Sequence, residues 1–205
     1  QRTPYSIGPY GKSMKGSLSP NIQLAKDKYI FVFQDVRGKF MSEGKFVNMR
    51  PVLTEYKSNK DVDETTDTWD TVEWLINHIE NNNGKVGLYG VSYPGFYTVM
   101  GTINAHPAMV CTSPQAPISD WFLWDDMHHN GAFTLPLCFN FFQVFGLDRP
   151  ELTMRWGSRP QYTAADGYNF FLDLGPVKNV NENYLHGTID FWNKFTDHPD
   201  YDEFW

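Results

Sequence analysis

Three short apolar runs mark the strands that the sequence predicts. Residues 29–33 read YIFVF, an unbroken run of aromatic and β-branched side chains, which is typical of a strand buried on both faces. Residues 86–89 and 109–112 form two further apolar runs of strand length. We expect all three to belong to one parallel sheet.

Helical patterns separate these runs. A short helix is predicted over residues 21–26. The acidic stretch 61–70 should begin a longer helix, because carboxylates favour the positive end of the helix dipole, and Gly84 should end it as a left-handed cap. Its apolar face is predicted from three- and four-residue spacings, at Trp69, Val72, Leu75, Ile76 and Ile79. A third helix is predicted over residues 93–105.

Strands that alternate with helices predict an α/β fold, a parallel sheet with crossover helices, over residues 1–118. After Pro117 the pattern changes. Residues 119–205 are dense in Trp, Phe, His and Asp and contain no further clean strand. We therefore predict a second, mostly helical domain over residues 119–205, a cap on the α/β core.

Composition narrows the classes of partner. The chain has 205 residues and a formal net charge of −7, which argues against nucleic acid and anionic membranes. No apolar run approaches the ~20 residues of a membrane-spanning helix. Aromatic residues make up 17% of the chain, which indicates broad apolar surfaces or a stacking pocket. Cys111 and Cys138 set no disulfide framework, and both lie in apolar or aromatic surroundings that predict buried thiols.

The strongest chemical signal is Ser92, in the segment Gly90-Val91-Ser92-Tyr93-Pro94-Gly95. A serine on a tight turn between a strand and a helix is the nucleophile elbow of α/β-hydrolases. The helix beneath such a serine offers backbone N–H groups to an oxyanion. Pro94 has no N–H, so we expect the N–H of Tyr93 to be the donor. The alternative is a plain turn without chemistry.

A serine nucleophile needs a histidine base and an orienting carboxylate. His106 lies at the far end of the helix after Ser92, about 18 Å away at 1.5 Å per residue. The later histidines lie in cap sequence, where we expect His128 and His129 to line a pocket or pack. We infer that the acid and base lie outside this chain. The cluster of Asp125, Asp126, His128 and His129 lacks convincing metal spacing, since adjacent helical residues diverge by about 100°. No metal and no other cofactor is predicted.

The motifs in combination resemble those of the α-amino-acid ester hydrolases. Their wider relatives are the cocaine esterase, the glutaryl-cephalosporin acylases and the X-Pro dipeptidyl-peptidases. The resemblance is carried by the segments RTPY at 2–5, FQDVRG at 33–38, SEG at 42–44, RP at 50–51, TWDT at 68–71, GKVG at 84–87, GVSYPG at 90–95, HP at 106–107 and GAF at 131–133.

The resemblance implies roles for individual residues. Ser92 would be the nucleophile, and the oxyanion hole would pair the Tyr93 N–H with the phenol of Tyr5. Asp126 would bind the α-ammonium group of the substrate. Asp35 and Arg37 recur in the family motif, and we expect a structural ion pair between them.

The resemblance also implies a serine hydrolase that acts on small esters, amides or short peptides through an acyl-enzyme. An X-Pro-type dipeptidyl peptidase and a non-catalytic, aromatic-rich binding module stay open as alternatives. The family has an α/β-hydrolase core, a helical cap and a C-terminal jelly roll. This chain would hold the middle of the core and most of the cap, without the catalytic Asp and His or the jelly roll, and would be inactive alone. Export to the periplasm or secretion is favoured, and homo-oligomerisation stays open.

Overall fold

The chain forms two compact units in the computed structural model, Gln1–Ile118 and Ser119–Trp205. The structure describes residues 1–19, 21–124, 126–157 and 165–205. The first unit contains β1 (Arg2–Thr3), α1 (Ile22–Lys26), β2 (Gln34–Asp35), α2 (Glu64–His78), β3 (Val86–Val91), α3 (Tyr93–Met100) and β4 (Met109–Gln115). The second contains β5 (His128–His129), β6 (Ala132–Phe133), α4 (Leu135–Phe145), α5 (Gly167–Leu174), α6 (Lys178–Val180) followed by a π-helical turn (Asn181–Leu185), and α7 (Asp190–Asp197).

Strands β3 and β4 run parallel, and helix α3 crosses over between them. Their register places Val91 opposite Gln115 and Leu88 opposite Thr112. The predicted parallel strand–helix–strand unit is therefore confirmed. Strands β1 and β2 form a separate parallel pair, with Thr3 opposite Asp35. The described residues thus contain parallel pairs, but they do not form a full α/β-hydrolase sheet.

The strand predicted at residues 29–33 is wrong. The strand begins only at Gln34, where Arg2 lies opposite it in the ladder. Tyr29 and Ile30 are 62% and 52% exposed, so this run is not buried on both faces. A hydrophobic run shows that burial would be favourable, but a strand also needs a neighbour that pairs with its backbone. Among the described residues, the ladder with β1 includes only Gln34 and Asp35 of β2, and residues 29–33 have no strand paired with them.

Helix α2 begins where the acidic stretch predicted a helix. Asp63 is its N-cap, and its Oδ1 accepts the N–H groups of Thr65 and Thr66 at 2.9 and 3.0 Å. The Thr66 hydroxyl accepts the Asp63 N–H in return at 3.0 Å, which completes a capping box. The predicted cap at Gly84 is wrong, because the helix ends at His78 and Gly84 lies in the turn before β3.

The predicted apolar face of α2 is confirmed only in part. Val72 is buried, Leu75, Ile76 and Ile79 are half-buried, and Trp69 is 41% exposed. The buried side of the helix is polar instead at its first turns, with Glu64, Asp67 and Thr68. Glu64 and Asp67 form ion pairs with Arg2 of β1, and Asp67 also pairs with Arg37 in the loop after β2.

An aromatic core holds the second unit together. The helices predicted there are present, with a two-residue antiparallel hairpin of β5 and β6 that the sequence did not reveal. The buried residues of this core are Met127, Cys138, Phe139, Phe142, Phe170, Leu174, Val180, Leu185, Ile189, Trp192 and Phe195. Their apolar burial is the main source of stability for this unit.

None of the helices in the described part of the chain combines the length and the apolar character that crossing a membrane requires.

Candidate active site

Ser92 lies at a sharp turn between β3 and α3. Its side chain is exposed, and its backbone has φ 62° and ψ −125°, a region that residues other than glycine seldom adopt. Two backbone bonds hold it there. The Ser92 N–H donates to the Gln115 carbonyl at 2.9 Å, and the Ser92 carbonyl accepts the Phe96 N–H at 3.0 Å. The turn therefore has the strained geometry of a nucleophile elbow.

Two glycines allow this turn to be tight. A Cβ on Gly90 would lie 2.2 Å from the Pro94 carbonyl oxygen. A Cβ on Gly95 would lie 2.6 Å from the Gln115 carbonyl oxygen. Both contacts are with backbone that cannot swing aside, so a side chain at either position would push α3 away from the strands. The glycines keep the helix start directly beneath Ser92.

Tyr93 anchors the first turn of α3. Its phenol is fully buried, donates to Asn48 Oδ1 at 2.6 Å and accepts the Met49 N–H at 2.7 Å. Burial raises the pKa of this phenol above its usual range. Because the phenol is already engaged, the group of Tyr93 that could serve an oxyanion is its backbone N–H, as the sequence predicts. Pro94 follows within the first turn of α3.

The structure brings Tyr5 next to this turn. The Tyr5 and Tyr93 rings meet edge to face, with centroids 6.2 Å apart and planes 85° apart. The Tyr5 N–H donates to Thr3 Oγ1 at 3.1 Å, which ties the residue to the end of β1. Two residues that are 88 positions apart in the sequence are thus neighbours, and one of them adjoins Ser92. The ring contact places Tyr5 beside the first residue of α3.

Asp126 lies in the second unit and is partly exposed. Its carbonyl and that of Met127 each accept a hydrogen bond from the Thr134 hydroxyl at 2.9 Å. Thr134 is the N-cap of α4, but its side chain does not cap the helix. Burial, with a contribution from the Asp126 charge, raises the pKa of the Cys138 thiol to about 11. Asp125, the other acid of this predicted cluster, lies outside the described residues.

His106 and His128 have contacts that indicate structural roles. His106 Nε2 lies 2.8 Å from Glu73 Oε2, and its Nδ1 accepts the Ala108 N–H at 3.0 Å. His128 is buried, and its ring centroid lies 4.3 Å from that of Phe122 and 5.1 Å from that of Trp205. Burial lowers the pKa of His128.

His198 Nδ1 lies 2.6 Å from Asp202 Oδ2 on the surface. Within the described ranges, no group of three or more His, Cys, Asp or Glu side chains is arranged to hold a metal ion.

Sequence reasoning missed a buried charge network behind the elbow. Arg2 Nη1 lies 3.2 Å from Glu64 Oε2, and Arg2 Nη2 lies 3.6 Å from Asp67 Oδ2. Arg37 donates to both oxygens of Asp67. Burial raises the pKa of Glu64 against the opposing effect of Arg2. The predicted ion pair between Asp35 and Arg37 is therefore wrong, because Arg37 pairs with Asp67. The sequence signal that could have indicated this network is the presence of Arg2 and Arg37 in two separate motifs, together with the acidic start of α2.

The two cysteines differ in exposure. Cys138 is buried as predicted, whereas Cys111 is exposed on β4, so the prediction for Cys111 is wrong. An apolar run predicts burial only where a neighbouring element covers that face of the strand.

The elbow geometry points to the α/β-hydrolase class, and comparison with known proteins defines the family. The model of the X-Pro dipeptidyl-peptidase (S15) family matches residues 1–205, and the chain belongs to this family. It is 27% identical over 196 residues to the cocaine esterase of Rhodococcus sp. (strain MB1 Bresler), covering 90% of this chain and 31% of that protein.

Two solved structures are similar as well. An aminopeptidase from the marine sediment archaeon Thaumarchaeota archaeon has a TM-score of 0.77 and 35% identity, over 88% of this chain and 29% of that one. A selenomethionine-labelled α-amino acid ester hydrolase has a TM-score of 0.82 and 34% identity, over 100% of this chain and 33% of that one. The predicted resemblance is confirmed. The chain spans about a third of the length of these relatives.

Proposed function

We propose that the protein is a serine hydrolase that cleaves ester or amide bonds through an acyl-enzyme on Ser92. The observation that carries this proposal is the exposed, strained serine between β3 and α3. The relatives are named for ester or peptide hydrolysis, as an esterase, an aminopeptidase and an ester hydrolase. These names support a hydrolase of this broad class.

In the proposed reaction, Ser92 Oγ attacks the substrate carbonyl carbon and gives its proton to a base. The bond to the leaving alcohol or amine breaks, and the leaving group takes a proton. Water then attacks the acyl-serine, which releases the acid and restores Ser92. The oxyanion of each tetrahedral intermediate would accept hydrogen bonds from the Tyr93 N–H and the Tyr5 phenol. We propose that the base and its carboxylate come from outside residues 1–205. His106, the histidine that follows Ser92 most closely in the sequence, has both ring nitrogens engaged in structural bonds.

A fluorophosphonate probe, which reacts with activated serines, tests this proposal. We expect the full-length gene product to be labelled and its Ser92→Ala variant to remain unlabelled. The isolated 205-residue chain should not be labelled, since the base is proposed to lie elsewhere. If the folded full-length protein is not labelled, the serine-hydrolase proposal is wrong, and the alternative of a binding module becomes the better one.

We further propose an α-amino acyl group as the part of the substrate that is transferred, with its ammonium bound by Asp126. This step rests on the family resemblance and on the α-amino acid ester hydrolase among the similar structures. The family name and the aminopeptidase favour a second candidate, an X-Pro-type peptidase. Steady-state rates on an α-amino acid methyl ester and on an X-Pro anilide would separate the two.

Asp126→Asn is expected to raise KM for an α-amino ester by about 10- to 100-fold, because hydrogen bonds to charged groups contribute about 1.5–3 kcal/mol. KM for the same ester without its amino group should not change. Asp173→Asn, which removes an exposed carboxylate from α5 in the same unit, is the matched control. An equal rise in KM for both esters would contradict a contact between Asp126 and the ammonium.

A further inference from the structure

A buried carboxylate at the end of β2 binds the segment that carries Tyr5. Asp35 is 3% exposed. Its Oδ1 accepts the Ile7 N–H at 3.0 Å, and its Oδ2 accepts the Tyr10 hydroxyl at 2.6 Å. Both donors follow Tyr5 within five residues. Neither bond is part of a helix or of the β1–β2 ladder, so the carboxylate stabilises the conformation of the loop that contains Ile7 and Tyr10.

The loop is held on both sides of Tyr5. On one side, β1 pairs with β2, and Thr3 Oγ1 accepts the Tyr5 N–H at 3.1 Å. On the other side, Ser6 has φ 79°, a strained value for serine, and the next residue is the Ile7 that donates to Asp35. A strained residue persists only where its surroundings hold it. The bond from Ile7 to Asp35 supplies that hold directly after Ser6.

The donors of Asp35 are themselves ordered. The Tyr10 hydroxyl accepts a bond from Ser6 Oγ at 3.2 Å, and Ser6 Oγ accepts the Gly8 N–H at 3.1 Å. Burial, together with the hydrogen bond to Asp35, raises the pKa of the Tyr10 phenol to about 12. On the opposite side, the Asp35 carbonyl accepts the Ser42 hydroxyl at 2.5 Å. Asp35 thus links the Tyr5 segment to the loop after β2.

We propose that Asp35 is a positioning residue that holds the phenol of Tyr5 at the oxyanion. This inference rests on the proposed function, since it assumes that Tyr5 is an oxyanion donor. Such a donor stabilises developing charge only if it is fixed in place before the reaction. The bond from the Ile7 N–H fixes the backbone that follows Tyr5, and the bond from the Tyr10 hydroxyl fixes a side chain of the same loop. The edge-to-face contact with Tyr93 directs the Tyr5 ring. Asp35 itself does not contact the substrate in this proposal.

The test is a double-mutant cycle on the full-length gene product, with kcat and KM measured on an ester substrate. Tyr5→Phe should lower kcat by about 100-fold or more, as the loss of one oxyanion donor does. Asp35→Asn should lower kcat by about 10-fold or more, because small misplacements of a catalytic group are costly, while KM stays within about twofold. In the Tyr5→Phe background, Asp35→Asn should have no further effect on kcat.

Tyr10→Phe removes one of the two bonds and keeps the test available if Asp35→Asn does not fold. It should lower kcat in the wild-type background and not in Tyr5→Phe. Tyr56→Phe is the matched control, because it removes a Tyr–Asp hydrogen bond of 2.5 Å at the start of α2 and should leave kcat unchanged.

Two results would overturn the proposal in different ways. If Tyr5→Phe lowers kcat and Asp35→Asn lowers it equally in both backgrounds, or not at all, then Asp35 does not act through Tyr5. If Tyr5→Phe leaves kcat unchanged, the oxyanion role in the proposed function is wrong, and the role of Asp35 falls with it. Labelling of Ser92 would show whether the serine mechanism itself survives.

Discussion

A glycine in place of Ser92 is expected to abolish hydrolysis and at the same time to increase the free energy of unfolding. Loss of the nucleophile should lower kcat by about 10⁶-fold, the scale seen when a serine nucleophile is removed. The backbone at Ser92, with φ 62° and ψ −125°, stores about 1–3 kcal/mol of strain. Glycine adopts these angles without strain but costs about 0.5–1 kcal/mol in chain entropy, so a net gain of about 1 kcal/mol is expected.

Turnover of an ester and chemical denaturation, both measured on the full-length gene product, give the two effects. Ser92→Ala is the control, since it removes the hydroxyl but keeps the Cβ and therefore the strain. It should be as inactive as the glycine variant without being more stable than the wild type. Equal stability of the glycine and alanine variants would mean that little strain is stored at this turn. Turnover by either variant would exclude Ser92 as the nucleophile.

Local rules predicted the segment around Ser92 well. A short apolar run, a Gly-rich turn and an apolar segment of helical length lie next to each other in residues 86–105, and the structure has β3, the turn and α3 in that order. The N-terminus of α2 is of the same kind, because Asp63 and Thr66 cap it through bonds within four residues. Because the residues that make these contacts are close together in the sequence, a single sequence is enough to predict them.

Features that depend on distant partners could not be predicted in this way. The run at residues 29–33 has strong strand propensity, but the ladder forms at Gln34, where β1 lies opposite. Trp69 and Val72 satisfy the same helical spacing, yet only Val72 is buried. The burial of Glu64 and Asp67 depends on Arg2 and Arg37, whose motifs are far away in the chain. Propensity ranks conformations of a segment, whereas its tertiary partners decide which faces are covered.

The candidate site likewise contains residues that could be predicted from local sequence and residues that could not. Ser92 and the Tyr93 N–H follow from the local pattern of glycine, serine and proline. Tyr5 is different, because its sequence context indicates only a loop tyrosine, and the family resemblance alone pointed to it. The structure adds the contact between the Tyr5 and Tyr93 rings. It also adds the carboxylate of Asp35, which had no assigned role beyond an expected ion pair that does not form.

Replacing Gly90 with alanine is expected to damage both the fold and the site. The new Cβ would lie 2.2 Å from the Pro94 carbonyl oxygen and 2.7 Å from the Pro94 Cβ, and neither atom can move without α3. Overpacking of a tight interior usually costs about 1–3 kcal/mol, and because backbone is struck here we expect about 3 kcal/mol or more of lost stability. The protein that remains folded should have lost at least about 100-fold in kcat, since α3 carries the Tyr93 N–H and must shift away from Ser92.

On the full-length gene product, urea denaturation gives the loss of stability, and ester turnover below the unfolding transition gives the loss of kcat. Gly16→Ala is the matched control, because Gly16 lies in the same unit with nothing within 4 Å of the new Cβ. It should change the free energy of unfolding by no more than about 0.5 kcal/mol. If Gly90→Ala is as mild as Gly16→Ala, the strand and helix at Ser92 are not in tight contact. If instead it destabilises the fold but leaves kcat of the folded fraction intact, the position of the α3 N-terminus does not govern catalysis.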